Sequence, residues 1–335
     1  MTRLKTRCIR GAFTLAAITA GANVPAHAAA QGAADAASYP SRPIRIVVPF
    51  SPGGVADIMP RLIGPKLIET WKHQVVVDNR PGAGGVIGSD IVAKATPDGY
   101  TLLSASANHS ATPAVRSTLP FDTLKDFAGI TLTSTGAYVL VVAPSFSAKS
   151  VKDLIAFARA KPGQLNFSSA GTGSGTHFAA ELFKVQANFD AVHVPYKGIP
   201  EALTDTIAGR VQFFMPSLSS VTTFIKDGRV VALAVSSKNR APSLPDIPTL
   251  AESGVPGYEW NAWTALLAPA KTPRAIINQL HREVTRTLRL PDVQQRMAAI
   301  GADVTLISPE QLDKMIAGEI ALTAQLARKA GIKPE

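Results

Sequence analysis

Three times along this chain a short β-prone run ends in a loop of small residues that opens at once into a helix-length segment. The loops are residues 49–57 (PFSPGGVAD), 80–88 (RPGAGGVIG) and 168–177 (SSAGTGSGTH). A strand that feeds a glycine-rich turn and then a helix points to α/β architecture, in which helical crossovers join parallel strands. The alternation extends beyond these places. Residues 44–50 precede a helical segment at 56–71, residues 74–78 precede one at 86–95, and a further strand follows at 101–106. It resumes with strands at 139–143, 166–169, 191–195, 211–215 and 230–235, interspersed with helices at 151–160, 176–187 and 201–208. Two successive βα blocks predict two similar lobes, and 335 residues exceed what one compact core usually holds.

Helix starts are well signed. Ser308 and Gln311 have capping-box spacing, Ser150 and Asp153 give its acidic variant, and Thr272 before Pro273 reads as an N-cap with proline at the first helical position. From there Ile276, Ile277, Leu280, Val284 and Leu288 form one apolar face. Residues 241–258 are rich in proline and glycine without a sustained period, which suits a segment returning the chain from one lobe to the other. The expected crossings lie near Gly136 and Gly257. Lobe 1 then comprises residues 38–136 and 258–335, and lobe 2 residues 137–257.

The N-terminus carries Arg3, Lys5, Arg7 and Arg10 ahead of an apolar, acid-free stretch at 11–24, and Ala26 and Ala28 fit an A-x-A cleavage site. This predicts a signal peptide over residues 1–28; a membrane anchor would need about 20 continuous apolar residues. Cys8, the only cysteine, leaves with it, so the mature protein has no disulfide or thiolate metal site. Cleavage also removes four of the 34 basic residues and none of the 24 acidic ones, so the formal charge falls from +10 to +6. The remaining cations are scattered and do not interleave with aromatics, which argues against nucleic-acid binding. Mild basicity suits solubility and attraction for anionic solutes.

Glycine loops at helix starts expose backbone N–H groups at the positive end of the helix dipole, and so bind carboxylate or phosphate without a charged side chain. In open α/β sheets such loops lie at the carboxyl ends of strands, where ligands sit. One such loop on its own is only a tight turn; three together favour an anion site. Enzyme readings fail on spacing. Gly82, Gly84 and Gly85 approach a dinucleotide fingerprint, but Ile87 stands where the third glycine belongs. No Walker lysine follows any loop, Ser174 sits one residue short of a nucleophile elbow on each side, and the histidines form no H-x-x-x-H pair for zinc. No cofactor, metal or catalytic residue is expected. A secreted hydrolase using His177 or His109 with a nearby serine and carboxylate is the rival reading.

Asp57 reads as a cap of its own loop or helix rather than a ligand group. His109 is placed either to reach the cleft or to tie down its loop. His177, at a helix start, either bonds an anion or packs against its own turn. Trp260 and Trp263 read as interlobe packing.

Five stretches resemble the substrate-binding receptors of tripartite tricarboxylate transporters, the TctC or Bug family. They are YPSRPIRIVVPFSPGGVAD from Tyr39, VVVDNRPGAGGVIGSDIVAKATPDGYTLL from Val75, SSAGTGSGTHFAAELFK from Ser168, HVPYKGIPEALTD from His193 and LPDIPTLAESGVPGYE from Leu244. The resemblance implies a type II-like periplasmic binding-protein clamp: two α/β lobes of mainly parallel sheet, joined by two crossings, that close on a carboxylate solute. It implies periplasmic localisation, a monomer, and delivery to inner-membrane permease subunits, with a membrane sensor kinase as the alternative partner. Carried over by motif, Phe50, Ser51, Gly53 and Gly54 form the first ligand loop, and Ser169, Gly171, Thr172, Gly173 and Ser174 the opposing one. Ser106, Asn108 and His109 form a third. After the strand at 211–215, relatives often read a phenylalanine, an aspartate and an asparagine; here Met215, Pro216 and Ser217 stand instead. Losing that acid disfavours amino acids and favours amine-free carboxylates, with Ser217 at the ligand.

Overall fold

The computed structural model describes Thr2 and residues 38–334. Apart from Thr2, the expected signal peptide lies outside the described residues.

The first sheet is built from β1 (Ile44–Val48), β2 (Val75–Asn79), β3 (Thr101–Ser106), β4 (Phe127–Ala137) and β10 (Asn261–Pro269), in the order β2-β1-β3-β10-β4. β1 pairs in parallel with both β2 and β3, whereas β10 runs antiparallel to β3 and β4. The second sheet contains β5 (Val139–Val142), β6 (Asn166–Ser169), β7 (Val192–Pro195), β8 (Phe213–Phe214) and β9 (Val231–Val235), in the order β7-β6-β8-β5-β9. There β6 is parallel to β7 and β8, and β5 is antiparallel to β8 and β9. Both sheets are therefore mixed, with one reversed strand each. β4 runs into β5 with only Tyr138 between them, and the chain returns from β9 to β10 through the segment that ends at Trp260.

Helices cover both faces of each sheet, as strands buried on two sides require. On the first sheet, α1 (Val55–Trp71) and α8 (Arg274–Leu288) pack Met59, Ile63, Ile277, Leu280 and Val284 on Ile44 and Ile46. The expected apolar face of α8 is wholly buried. On the opposite face α2 (Val86–Ala93) and α10 (Pro309–Lys329) set Val92, Leu312 and Ile316 against Val47, Leu103 and Leu267. The far end of α10 leaves that layer, and its Leu326 and Ala327 join Phe178 and Trp260 in the core of the second lobe. The second sheet is flanked by α4 (Val151–Ala160) and α5 (Gly175–Ala187) on one side, and by α6 (Ile199–Ile207) and α7 (Leu218–Lys226) on the other. The short helices α3 (Asn108–Ala111) and α9 (Pro291–Ala299) complete the set described.

Ser308 and Gln311 form the expected capping box, and Ser150 accepts from the Asp153 N–H. α8 begins one residue later than expected: Pro273 itself is the N-cap, and the buried Thr272 hydroxyl has no partner. Residues 241–258 lie on the second lobe, contributing Ala241 to one core layer and Leu250, Val255 and Tyr258 to the other.

Candidate functional site

Three helix N-termini converge between the lobes. α1 starts straight out of the loop after β1, with Gly54 as N-cap in extended conformation and no side-chain cap. α5 starts out of the loop after β6, with Ser174 accepting from the His177 N–H. α7 starts after β8, with Ser217 as N-cap and again no side-chain cap. The first N–H groups of each helix have no intrahelical acceptor and carry the positive end of the dipole. One cavity of about 40 Å³ is lined by all three starts: Gly54, Val55 and Ala56; Ser174, Gly175 and Thr176; and Ser217. Phe50, Ser106, Tyr138, Ala170 and Ile199 complete its wall, and among the described residues no charged side chain lines it.

The lobes are closed over this cavity. The Ser51 hydroxyl donates to Glu201 Oε1 across the cleft (2.7 Å). Phe50 and Ile199 share one apolar cluster with Val48 and Phe214. The loop before α2 touches the loop before α5 so closely that a β-carbon on Gly84 would collide with the Thr172 carbonyl. The cavity holds a few waters or one carboxylate group, given that a water needs roughly 10–15 Å³. A larger solute enters only if the lobes part.

Of the residues singled out in the sequence, Phe50, Gly54, Ser106, Ser174 and Ser217 line the cavity directly. Gly171 and Thr172 face Gly84. Others hold the loops in shape. The Gly53 N–H donates to Asp57 Oδ2 (2.9 Å), and Asp57 also accepts from Arg61 and Asn79, which hold its carboxyl below the usual range despite burial. It is a loop cap, as expected. Asn108 accepts from the Ser106 hydroxyl (2.8 Å). Ser169 Oγ accepts from the Gly171 N–H (3.0 Å) and pairs with His193 Nε2 (2.6 Å).

Two histidines are placed away from the cavity. His177 lies behind the loop, where Nδ1 accepts from the Gly173 N–H (3.3 Å) and the ring stacks on His193 with centroids 4.1 Å apart. Burial, then the neighbouring His193 and Lys184, push its pKa well below the ordinary value, so it is neutral and braces the turn. His109 does not line the cleft either. On a helix, neighbouring side chains diverge by about 100°, so when Asn108 faces the loops His109 points into lobe 1. There Nε2 meets the Thr123 carbonyl (3.2 Å), and the ring lies edge-on to Phe127. Burial lowers its pKa to about 4. Trp260 stacks on Phe178 and Trp263 donates to Glu319, so both are packing residues.

Sequence reasoning missed Tyr138, Val55, Ala56, Gly175, Thr176, Ala170 and Ile199. Most sit within a residue or two of positions that were named, because the first turns of α1 and α5, beyond the glycine loops themselves, also line the cavity. Tyr138 falls two residues after the crossing expected at Gly136, and Ile199 lies near no named ligand position.

Residues 60–332 match the family described as the tripartite tricarboxylate transporter family receptor, TctC. The chain belongs to that family. Its members are periplasmic solute-binding receptors rather than enzymes. Among similar proteins, BugT of Bordetella pertussis is 36% identical over 298 residues, covering 88% of this chain and 91% of BugT. Rpa4515 of R. palustris, solved with adipate, is 35% identical with a TM-score of 0.86, over 89% of this chain and 100% of that one. MatC of Rhodopseudomonas palustris, solved with bound malate, is 30% identical with a TM-score of 0.81, over 86% of this chain and 99% of that one. The two mixed sheets with their helices are thus the two-lobed fold of periplasmic binding proteins, here in its TctC form.

Proposed function

We propose that this receptor captures a small amine-free organic carboxylate between two lobes, 38–136 with 258–335 and 137–257, and hands it to inner-membrane permease subunits of a tripartite tricarboxylate-type transporter. It reaches the periplasm by cleavage of residues 1–28 and works there as a monomer without a cofactor. The convergence of three uncharged helix N-termini on one cavity carries this reading. A site made of N–H and hydroxyl donors satisfies an acceptor-only anion, and the dipoles favour its charge.

The amine-free preference rests on the residues after β8. Met215 is core, the Pro216 carbonyl accepts from the Val139 N–H, and Ser217 starts α7, so no carboxylate is offered to a ligand ammonium. An unpaired ammonium buried there would lack an acceptor of opposite charge. That Rpa4515 was solved with adipate and MatC with malate supports the class.

The test is thermal unfolding of the mature protein against mono-, di- and tricarboxylates, aromatic acids and amino acids. A true ligand at 100 times its Kd adds about 2.7 kcal/mol of stability and raises the midpoint. A rise with amino acids alone would overturn the amine-free assignment. No rise with any carboxylate would overturn the carboxylate assignment itself.

A further inference from the structure

Tyr138 is the first crossing: it is the one residue between β4 and β5. Its main chain is knitted to the second crossing. The Tyr138 N–H donates to Ser236 Oγ (2.7 Å), and that hydroxyl donates to the Trp260 carbonyl (2.5 Å). The Ser236 N–H returns a bond to the Tyr138 carbonyl (2.9 Å), and the Trp260 N–H donates to the Ser236 carbonyl (3.2 Å). The position of this tyrosine therefore belongs to the hinge and to neither lobe alone.

The ring is 5% exposed, and its hydroxyl reaches the wall of the ligand cavity at the start of α5. A β-carbon on Gly175 would collide with that oxygen and crowd Ala107 Cβ, so Gly175 is required to let the phenol approach the helix start. No hydrogen bond to that hydroxyl is found among the described residues, and burial, then the Glu319 carboxyl, raises its pKa so that it stays protonated. Tyr138 lines the cavity, so its hydroxyl is placed to donate to what the cavity holds. The surrounding unpaired groups are the α5 amides, which are donors, so the missing partner is an acceptor.

We infer that the Tyr138 hydroxyl donates to the same ligand carboxylate that the α5 amides hold, making Tyr138 the ligand's contact with the hinge. This rests on the carboxylate reading above. A ligand bonded to both lobes and to the crossing is held fully at only one interlobe angle, so its binding energy favours the closed arrangement over the open one.

The experiment is calorimetric titration of adipate, malate and a monocarboxylate panel into the wild-type protein and Tyr138→Phe. Losing one charge-assisted hydrogen bond should weaken the best ligand about ten- to hundredfold, while the ligand-free unfolding midpoint stays put. Unchanged affinity in Tyr138→Phe overturns the inference and leaves the carboxylate reading standing. A wild-type protein that binds none of the panel overturns both. A crystal structure of the wild-type complex gives a second measure, independent of how the variant folds. A carboxylate oxygen bonded to the Tyr138 hydroxyl supports the inference, and a separation beyond about 3.5 Å overturns it.

Discussion

Glu319 shows how one buried acid sets a pH dependence. It lies on α10, where the Ser110 hydroxyl (2.5 Å) and Trp263 Nε1 (2.6 Å) both donate to its Oε2. Burial outweighs these two bonds and pushes its pKa from 4.5 up to about 7. Between those values the folded protein holds a proton that the unfolded chain releases, so this group's contribution to stability is present in acid and lost as pH rises through 7. The difference corresponds to about 3 kcal/mol. The buried histidines act in the opposite sense. His109 and His193, each lowered to about 4, stay neutral where the unfolded chain binds protons, so they add stability as pH rises towards 6.5. Comparison with Glu319→Gln separates the two effects, because the amide keeps an acceptor oxygen for Ser110 and Trp263 but carries no charge. The variant should match wild type near pH 5 and exceed it by about 1–3 kcal/mol at pH 8. Parallel denaturation curves across that range, with no growing gap, would refute the assignment.

The elements that were legible in the sequence are those fixed by local chemistry. The strand, glycine loop and helix around Gly54 and around Ser174, the caps at Ser150 and Ser308, and the buried face of α8 each follow from a few adjacent residues. β4 and β10 did not announce themselves. Their segments are broken by threonine and serine, and those hydroxyls are tolerated inside the sheet only because Thr133 and Ser134 bond Thr264 on the neighbouring strand (2.7 Å each). That partner lies about 130 residues away, beyond the reach of any local pattern. The side on which His109 falls was open in the sequence for a related reason, since loop membership does not set the phase of a short helix. The glycine loops themselves invite a test at Gly84, which has φ 65° and faces the Thr172 carbonyl. Alanine there costs about 1–2 kcal/mol for its left-handed backbone, and it also blocks the closed approach of the two loops. Gly84→Ala should therefore melt only slightly earlier than wild type yet bind its carboxylate at least about tenfold more weakly, a loss near 1.4 kcal/mol. Equal affinities by calorimetry would mean that the contact between these loops contributes nothing to closure.

At the scale of the whole molecule the two sheets share one plan. β6 sits between β7 and β8 as β1 sits between β2 and β3, and in each sheet the reversed strand is the first one after a crossing: β10 after Trp260 in the first, β5 after Tyr138 in the second. Each crossing therefore leads from an edge strand of one sheet, β4 or β9, into the reversed strand of the other, so a hinge motion at Tyr138 and Trp260 turns one sheet against the other. Among the described residues, the contacts that hold the lobes shut on the open side are slighter: the apolar cluster shared by Phe50 and Ile199, the close approach of Gly84 to the Thr172 carbonyl, and the hydrogen bond from Ser51 to Glu201. Breaking that bond leaves both cores intact, so its effect belongs to the lifetime of the closed state. Ser51→Ala should release bound ligand about fivefold faster, as expected for loss of about 1 kcal/mol, with an unchanged melting point in the absence of ligand. Stopped-flow displacement, read by the fluorescence of the tryptophans at the return crossing, measures the rate directly. An unaltered release rate would place the closure energy in the apolar contact and the ligand, and remove Ser51 and Glu201 from the latch.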